Sequence, residues 1–366
     1  FMGLQLPGGS FVNPGTELRD HLTAEAVKAV LRITDLGDHY TPLAQIVDEK
    51  AIVNAVVGLL STGGSTNHTL HLVAIARAAG IIIDWDDFAE LSAAVPLLAR
   101  VYPNGQADVN HFHAAGGLGF TIRELLDAGL LHQDVKTMLG EGLDRYCVEP
   151  TLNGSFGWRP APEKSLETEI LRPADDPFDR EGGLRVVDGD IGRAVVKVSA
   201  VDEEHYSIKA TARVFDSQAA FAKAFNDGEL EMDFVAVLPW QGPRANGMPE
   251  LHKLTPYLGV LQNRGFKVAL LTDGRMSGAS GKVLAAIQVS PEALDGGAIG
   301  KIRDGDIVSI NCDSGALNVE SDEPLVERES VTSDVSANHA GMGRELFASF
   351  RQNVSSAETG ASVFGD

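Results

Sequence analysis

Two short apolar runs, separated by the length of one helix, constrain the fold of this chain most. The runs are FVAVL at 234–238 and FKVALL at 266–271, and the segment 250–264 between them is predicted to be helical. This order predicts a βαβ unit, in which the crossover helix makes the two strands parallel. Pro256 predicts either a kink in the helix or a new start at Thr255. An α/β sheet is therefore expected in this half.

The character of the sequence changes near residue 180. Before it, residues 17–33, 51–60 and 69–80 are predicted to be helices, with few strands among them. Residues 160–182 are rich in Pro, Asp and Glu, which indicates a linker or exposed excursion. After it, strands are predicted at 184–214, followed by a hairpin near 306–320 and a closing helix at 343–354. We expect two domains, 1–180 helix-rich α/β and 181–366 β-rich α/β.

Composition excludes several classes of partner. The chain has 30 Lys and Arg against 51 Asp and Glu, a net charge of −21, with no basic cluster. Nucleic acid and anionic membrane surfaces both require concentrated positive charge, so neither is expected as a partner. The apolar runs are too short to span a bilayer. Cys147 and Cys312 lie far apart without metal-ligand spacing, which favours free neutral thiols in a reducing cytoplasm over a disulfide.

The stretch LLTDGRMSGASGK at 270–282 follows an apolar strand and precedes KVLAAI, which is predicted to be helical. A nucleotide-binding P-loop is excluded because its first glycine would have to be Met276, and Val283 stands in place of the metal-binding hydroxyl. A strand-to-helix turn remains, presenting four side chains near the free N–H groups of a helix start: Arg275, Ser277, Ser280 and Lys282. Such an environment stabilises negative charge, so an anion-binding or active-site role is favoured over a plain turn.

The segment WQGPRANGMPELHK at 240–253 follows the strand FVAVL at its carboxyl end, where open α/β sheets bind ligands. Glu250 is expected in the first turn of the next helix. It is either a simple helix-start acid or a ligand of a hard cation, and the motif alone does not decide between them.

Two other polar segments are STGGSTNHTLH at 61–71 and YPNGQADVNHFHAAGG at 102–117. In the first, a helix start is predicted at Ser65, Thr66 and Asn67. These side chains could cap the helix or contact a ligand, and the sequence favours neither interpretation over the other. In the second, His111 and His113 lack a third ligand, which favours polar structural histidines over a metal site.

Four segments taken together, GGSTNHTLHL, DVNHFHAAGG, QGPRANGMPELHK and TDGRMSGASGK, resemble the dihydroxy-acid dehydratase / 6-phosphogluconate dehydratase family. The resemblance runs in order through nearly all 366 residues. WDDFAELS, ARVYPNGQADVNHF and NGMPELHKL are more similar to the branch that acts on 6-phosphogluconate. The resemblance implies an N-terminal α/β domain joined to a swivelling, β-barrel-like C-terminal domain, usually in a homodimer.

The same resemblance implies a chemistry. An iron–sulfur cluster, of the [4Fe–4S] type in this branch, acts as Lewis acid on the C3 hydroxyl of a sugar acid while a base removes the C2 proton. The family's base matches Ser277, and a Mg²⁺ (or Mn²⁺) ligand of related sugar-acid dehydratases matches Glu250. Positive charge on Arg244, Lys253, Arg275 and Lys282 would suit the substrate phosphate.

Segments that resemble the family's cofactor-ligand motifs are not found in this sequence, which begins with FMGLQLPGGSFVNPG and has no Met at position 1. The cysteines that hold the cluster, and the two aspartates and carbamylated lysine that complete the Mg²⁺ site, are expected upstream. No iron–sulfur ligand is therefore expected within these residues. Two alternatives remain: a dehydratase of an unphosphorylated sugar acid or dihydroxy acid, and a non-catalytic ligand-binding fragment.

Overall fold

The computed structural model describes residues 1–276, 281–331 and 333–364. Two compact units are formed. The first contains Phe1–Gly64, Ala78–Ile82 and Leu91–Gly182, and the second contains Ser65–Arg77, Ile83–Glu90 and Gly183–Asp366. The α-helices are α1 Glu17–Ile33, α2 Leu43–Ile46, α3 Glu49–Ser61, α4 His68–Ala78, α5 Trp85–Ala94, α6 Val109–Ala114, α7 Gly117–Asp127, α8 Gln218–Asn226, α9 Pro243–Asn246, α10 Leu254–Asn263 and α11 Ala348–Asn353.

The first unit is mainly helical, as its sequence predicts. Helix α1 is continuous through Thr23, whose hydroxyl donates to the carbonyl of Arg19, and Thr16 caps its start. Its strands form two short antiparallel hairpins, with β1 Lys136–Thr137 paired to β2 Gly140–Glu141 and β3 Val148–Leu152 paired to β4 Phe156–Pro160. Because α1 turns Leu22 and Ala29 inward, they pack in a small core with Leu6, Ile46 and Met138.

The Pro- and acid-rich segment 160–182 is not the exposed linker that its composition indicates. Ala99 forms a β-bridge with Leu171, which is fully buried, and Leu97 forms another with Asp179. The ring of Phe178 also lies within 4.5 Å of an arginine guanidinium carbon. The few apolar side chains of the segment therefore anchor it within the first unit, despite the polar residues around them.

The second unit is built on an eight-stranded sheet. Its strands are β5 Leu184–Val187, β6 Arg193–Lys197, β7 Ser207–Val214, β8 Phe234–Leu238, β9 Val268–Thr272, β10 Leu284–Ser290, β11 Ile307–Asn311 and β12 Ala316–Glu320. They lie in the order β12-β11-β7-β8-β9-β10-β6-β5. Neighbours from β7 to β10 are parallel, whereas the pairs at both ends are antiparallel.

The predicted βαβ unit is confirmed. Strands β8 and β9 pair in parallel and are buried along their whole length, and α10 connects them. Helix α10 begins at Leu254, so Pro256 is its third residue. A proline is tolerated there because the first N–H groups of a helix have no partner within it. Of the two predicted alternatives, the helix start at Thr255 is therefore right to within one residue.

The two ends of the sheet meet just beyond β5. Asp188 forms a parallel bridge with Ala316 of β12, in which the Asp188 N–H donates to the carbonyl of Gly315 at 2.8 Å. The Leu317 N–H donates back to the carbonyl of Asp188 at 2.9 Å. This contact nearly closes the sheet around a cluster of Val, Ile, Leu and Ala side chains. The unit is thus mixed α/β with a nearly closed eight-stranded sheet.

Three predictions about elements beside the candidate site need correction. KVLAAI is not a helix, because Leu284–Ser290 forms β10 between β9 and β6. Glu250 is not in the first turn of a helix, since it forms a β-bridge with Arg275 before α10 begins. The closing helix is shorter than predicted, with a 3₁₀ turn at Arg344–Phe347 preceding α11. The helix-dipole argument for negative charge at 270–282 and at Glu250 is therefore wrong.

Candidate active site of the second unit

The carboxylate of Glu250 is the centre of a polar cluster in the second unit. Its Oε1 accepts a hydrogen bond from Nδ2 of Asn67 at 2.9 Å and an ion-paired one from the Arg275 guanidinium at 2.5 Å. The side chains of Glu250 and Arg275 are 29% and 27% exposed. Both charges are therefore partly removed from water, which strengthens their attraction relative to a surface pair.

The ends of β8 and β9 bring Glu250 and Arg275 together. The Arg275 Nε–H donates to the carbonyl of Met248 at 2.7 Å, and the Leu251 N–H donates to the carbonyl of Arg275 at 3.2 Å. Met248 adopts a left-handed φ of 50° within this loop. Because parallel strands point their carboxyl ends the same way, the loops that follow them are neighbours, as the sequence predicts for a ligand site.

A second set of contacts holds the segment 65–69 against the same strand ends. The Thr66 hydroxyl donates to the carbonyl of Met276 at 2.8 Å. Gln288, fully buried at a bulge in β10 with φ of 60°, accepts from the Thr69 hydroxyl and donates to the carbonyl of Thr66. Since unpaired buried polar groups are costly, this satisfied network fixes the backbone beside Asn67.

One atom of the cluster stands out. Oδ1 of Asn67 is buried, and no hydrogen-bond partner for it is found within the described ranges. A buried amide oxygen without a partner costs free energy, about 1–3 kcal/mol. It lies on the side chain whose Nδ2 contacts Glu250, and amide and carboxylate oxygens are the donors that Mg²⁺ and similar hard cations prefer.

Sequence reasoning missed two buried carboxylates next to this cluster. Asp273 accepts from the backbone N–H groups of Trp240, Gln241 and Ala293, and burial raises its pKa to about 6. Glu292 accepts from the N–H groups of Arg244 and Ala245.

Burial also raises the pKa of Glu292, to about 7. The two carboxylates hold the loop 240–245 in place. Asp273 follows a buried strand in a Thr-Asp-Gly sequence, a signal that could have been used, whereas nothing local marks Glu292.

The other predicted site residues do not contact the Glu250 carboxylate in the described part of the chain. The Arg244 guanidinium pairs with Asp295, and Ser65 accepts through Oγ from the Asn67 N–H at 3.3 Å. Lys253 and Lys282 are exposed. Ser277 and Ser280 lie outside the described residues. The structure thus brings together Thr66, Asn67, Glu250 and Arg275, while the charge of Arg244 is shared with a carboxylate.

The described residues do not fit an iron–sulfur cluster. Cys147 and Cys312 are free, and burial raises their pKa to about 11 and about 12, which disfavours the thiolate that iron requires. Within the described ranges no three His, Cys, Asp or Glu side chains are grouped as metal ligands.

The two histidines of the segment 102–117 form local contacts. His111 caps its own helix through a reciprocal contact with Asp108, and His113 stacks on Phe11. Both contacts support the interpretation that these are polar structural histidines.

Comparison with known proteins places the whole chain in one family. Residues 1–146 match the description "Dihydroxy-acid/6-phosphogluconate dehydratase N-terminal", and residues 169–361 match the corresponding C-terminal description. The chain belongs to the dihydroxy-acid/6-phosphogluconate dehydratase family. The family resemblance drawn from the four sequence segments is therefore confirmed.

Individual members of the dehydratase family show how close the similarity is. The chain is 61% identical over 364 residues to a phosphogluconate dehydratase of Pseudomonas aeruginosa, and 56% identical over 363 residues to that of Escherichia coli K12. Each match covers 99% of this chain and 60% of the relative. A dihydroxy-acid dehydratase of Ignicoccus hospitalis is 37% identical over 89% of this chain and 56% of its own length. The chain thus spans about three fifths of these relatives.

No helix among the described residues has the length and apolarity needed to cross a membrane.

Proposed function

We propose that this chain is part of a hydro-lyase that converts 6-phospho-D-gluconate to 2-dehydro-3-deoxy-6-phosphogluconate and water, a step of the Entner–Doudoroff pathway. The proposal is supported by the 61% and 56% identity to two phosphogluconate dehydratases over almost the whole chain. The structural observation that carries it is the contact of Glu250 with both Asn67 and Arg275. It unites three of the segments by which the family was recognised.

The reaction removes a proton from C2 and hydroxide from C3, and the resulting enol becomes the ketone. Ser277 is proposed as the base that takes the C2 proton. A neutral serine hydroxyl is too weak a base, so Ser277 would have to be ionised to the alkoxide before it takes the C2 proton and returns to the hydroxyl. Positive charge nearby would stabilise that alkoxide. Arg275 stands two residues before it. The carbonyl of Met276, the residue just before Ser277, is anchored by the Thr66 hydroxyl, which supports this placement.

A divalent cation, Mg²⁺ or Mn²⁺, is proposed to bind Glu250. The adjacent Asn67 amide supplies a buried oxygen that has no partner within the described ranges, and hard cations accept such oxygens. When bound, the cation would hold oxygen groups of the sugar acid by charge. Its remaining ligands, and those of the proposed [4Fe–4S] cluster, are assigned to segments of the enzyme outside this sequence.

The remaining assignments are part of the same proposal. Ser65, Thr66 and Asn67 are proposed to contact substrate, and Arg244, Lys253, Arg275 and Lys282 to attract its negative groups. Residues 1–180 would complete the cluster-side domain. Residues 181–366 would form the swivelling domain of a cytoplasmic homodimer.

The decisive experiment is a substrate comparison with the full-length, cofactor-loaded enzyme. Turnover of 6-phosphogluconate, gluconate and 2,3-dihydroxyisovalerate should be measured at equal enzyme concentration, with the 2-oxo acid product detected. We expect the highest kcat/KM for 6-phosphogluconate. A preference for gluconate or for the dihydroxy acid would replace the proposed substrate, and no turnover of any of the three would refute a catalytic function.

A further inference from the structure

A cavity of about 510 Å³ lies in the second unit, next to the candidate site but not part of it. One wall is the loop at Asn246 and Gly247, and the opposite wall comes from the C-terminal segment that carries Asn338, His339, Arg344 and Arg351. Nδ2 of Asn338 donates to Oδ1 of Asn246 at 2.8 Å, so the two walls are joined by a hydrogen bond. This hydrogen bond therefore fixes the two walls of the cavity relative to each other.

The charges of Arg344 and Arg351 are not neutralised by a carboxylate partner within the described ranges. Arg351 donates to the carbonyls of Arg344 and His339, and Arg344 donates to those of Ala340 and Gly341. These contacts orient the guanidinium groups but leave several of the five N–H donors of each available. Nε2 of His339 is buried, and no partner for it is found among the described residues. The cavity thus combines two cations that form no ion pair within the described ranges with a buried polar nitrogen that has no partner there.

The nearest competing anion is Glu345. Its carboxylate accepts the Gly341 N–H at 2.6 Å, and this hydrogen bond, aided by the charges of Arg344 and Arg351, lowers its pKa. It is exposed and does not line the cavity. No ion pair joins Glu345 to Arg344 or Arg351 among the described residues, so both guanidinium groups can still bind an anion inside the cavity.

One wall of the cavity lies within a substrate's length of Glu250. Only three peptide units separate Gly247 from Glu250, so their Cα atoms lie at most about 11 Å apart. A six-carbon acid whose carboxylate and C2–C3 bond lie at Glu250 can place its C6 phosphate at that distance. Two of the four cations predicted from sequence are already paired with carboxylates, Arg244 with Asp295 and Arg275 with Glu250.

We propose that the cavity lined by Asn338, His339, Arg344 and Arg351 is the subsite for the phosphate group of the sugar-acid substrate. Guanidinium groups bind phosphate oxygens through paired, charge-assisted hydrogen bonds, which a lysine does not reproduce. This inference rests on the proposed function and assigns substrate specificity to the C-terminal segment. The carboxylate end of the substrate remains at the Glu250 cluster.

The test compares Arg344→Gln and Arg351→Gln in the full-length enzyme, with Arg303→Gln as a surface control that loses only an exposed ion pair with Glu323. The expected result for each of the first two is a rise of about tenfold or more in KM for 6-phosphogluconate. The inhibition constant of gluconate, which lacks the phosphate, should stay unchanged. Inorganic phosphate should compete with 6-phosphogluconate in the wild type and more weakly in both variants.

The gluconate measurement separates a binding role from a structural one. If either substitution merely disturbed the C-terminal segment, both ligands would bind more weakly, and the inference would be overturned. It would also be overturned if KM for 6-phosphogluconate did not change. Failure of the wild-type enzyme to use 6-phosphogluconate would instead refute the proposed function, which keeps the two outcomes distinct.

Discussion

Asn67 and Glu250 are 183 positions apart in the sequence, yet Nδ2 of one lies 2.9 Å from Oε1 of the other. The contact joins the start of α4 to the loop that follows β8. Each side chain was ambiguous when considered alone, since capping would account for one segment and a helix-start acid for the other. Their contact, together with Arg275, supports the proposal that they belong to one functional site.

The charge of Glu250 is the first quantity to test. Glu250→Gln keeps an oxygen acceptor for Asn67 but removes the negative charge that pairs with Arg275 and that a cation would need. We expect kcat/KM of the full-length enzyme to fall by roughly 100-fold or more, with a higher divalent-cation concentration required for activity. Glu320→Gln removes a carboxylate from an exposed pair with Lys209 and should change kcat/KM less than twofold. Equal effects of both substitutions would contradict the assignment of Glu250.

The hydroxyl of Ser277 is the proposed base, so Ser277→Ala should lower kcat by roughly 10²–10⁴-fold. The affinity for 6-phosphogluconate, measured by calorimetry, should change little, because the substitution leaves the binding groups in place. Ser314→Ala, in an exposed turn, is the matched control and should retain full activity. Substantial turnover by Ser277→Ala would remove this residue from the role.

The sequence predicted the parallel strands β8 and β9 better than it predicted the side-chain contacts of the candidate site. The apolar runs at 234–238 and 266–271 were correctly assigned to parallel strands, because a helix of sufficient length separates them. KVLAAI was misassigned, since a short apolar run has no periodicity that distinguishes a buried strand from a helix. The segment 160–182 was misjudged because its composition outweighed Leu171 and Phe178, the two side chains that anchor it.

The site itself depends on contacts that no local pattern contains. Gln288 is an example, since its sequence neighbourhood is an ordinary apolar strand and only the β10 bulge turns its amide toward Thr66 and Thr69. Three of the four segments on which the family resemblance rests, those with Asn67, Glu250 and Arg275, contact one another in the structure. The resemblance did not indicate Asp273 or Glu292, whose importance arises from burial and from the backbone N–H groups they accept.

The Gln288 network should contribute measurably to stability. Gln288→Leu removes both side-chain hydrogen bonds while keeping a side chain of similar size. We expect the free energy of unfolding, measured with denaturant, to fall by about 1–3 kcal/mol. Gln262→Ala loses a single hydrogen bond to the carbonyl of Lys282 near the surface and should cost within about 0.5 kcal/mol. If the two variants lost equal stability, the buried network would have no special role.

The pKa of Glu292 predicts a specific dependence of stability on pH. Burial raises this pKa from 4.5 to about 7, and the nearby charge of Asp273 adds to the shift. Between pH 4.5 and pH 7 the folded state binds more protons than the unfolded state. The stability that protonated Glu292 contributes is therefore fully present below about pH 4.5. It is lost as pH rises through about 7.

Glu292→Gln removes this titration. The unfolding free energy of the variant minus that of the wild type should therefore rise between pH 4.5 and 7, by on the order of 3 kcal/mol, and level off above. Denaturant unfolding at half-unit pH intervals measures this difference. Glu320→Gln, with an exposed carboxylate, should give a flat difference across the same range. A flat difference for Glu292→Gln as well would show that the Glu292 carboxylate titrates normally despite its burial.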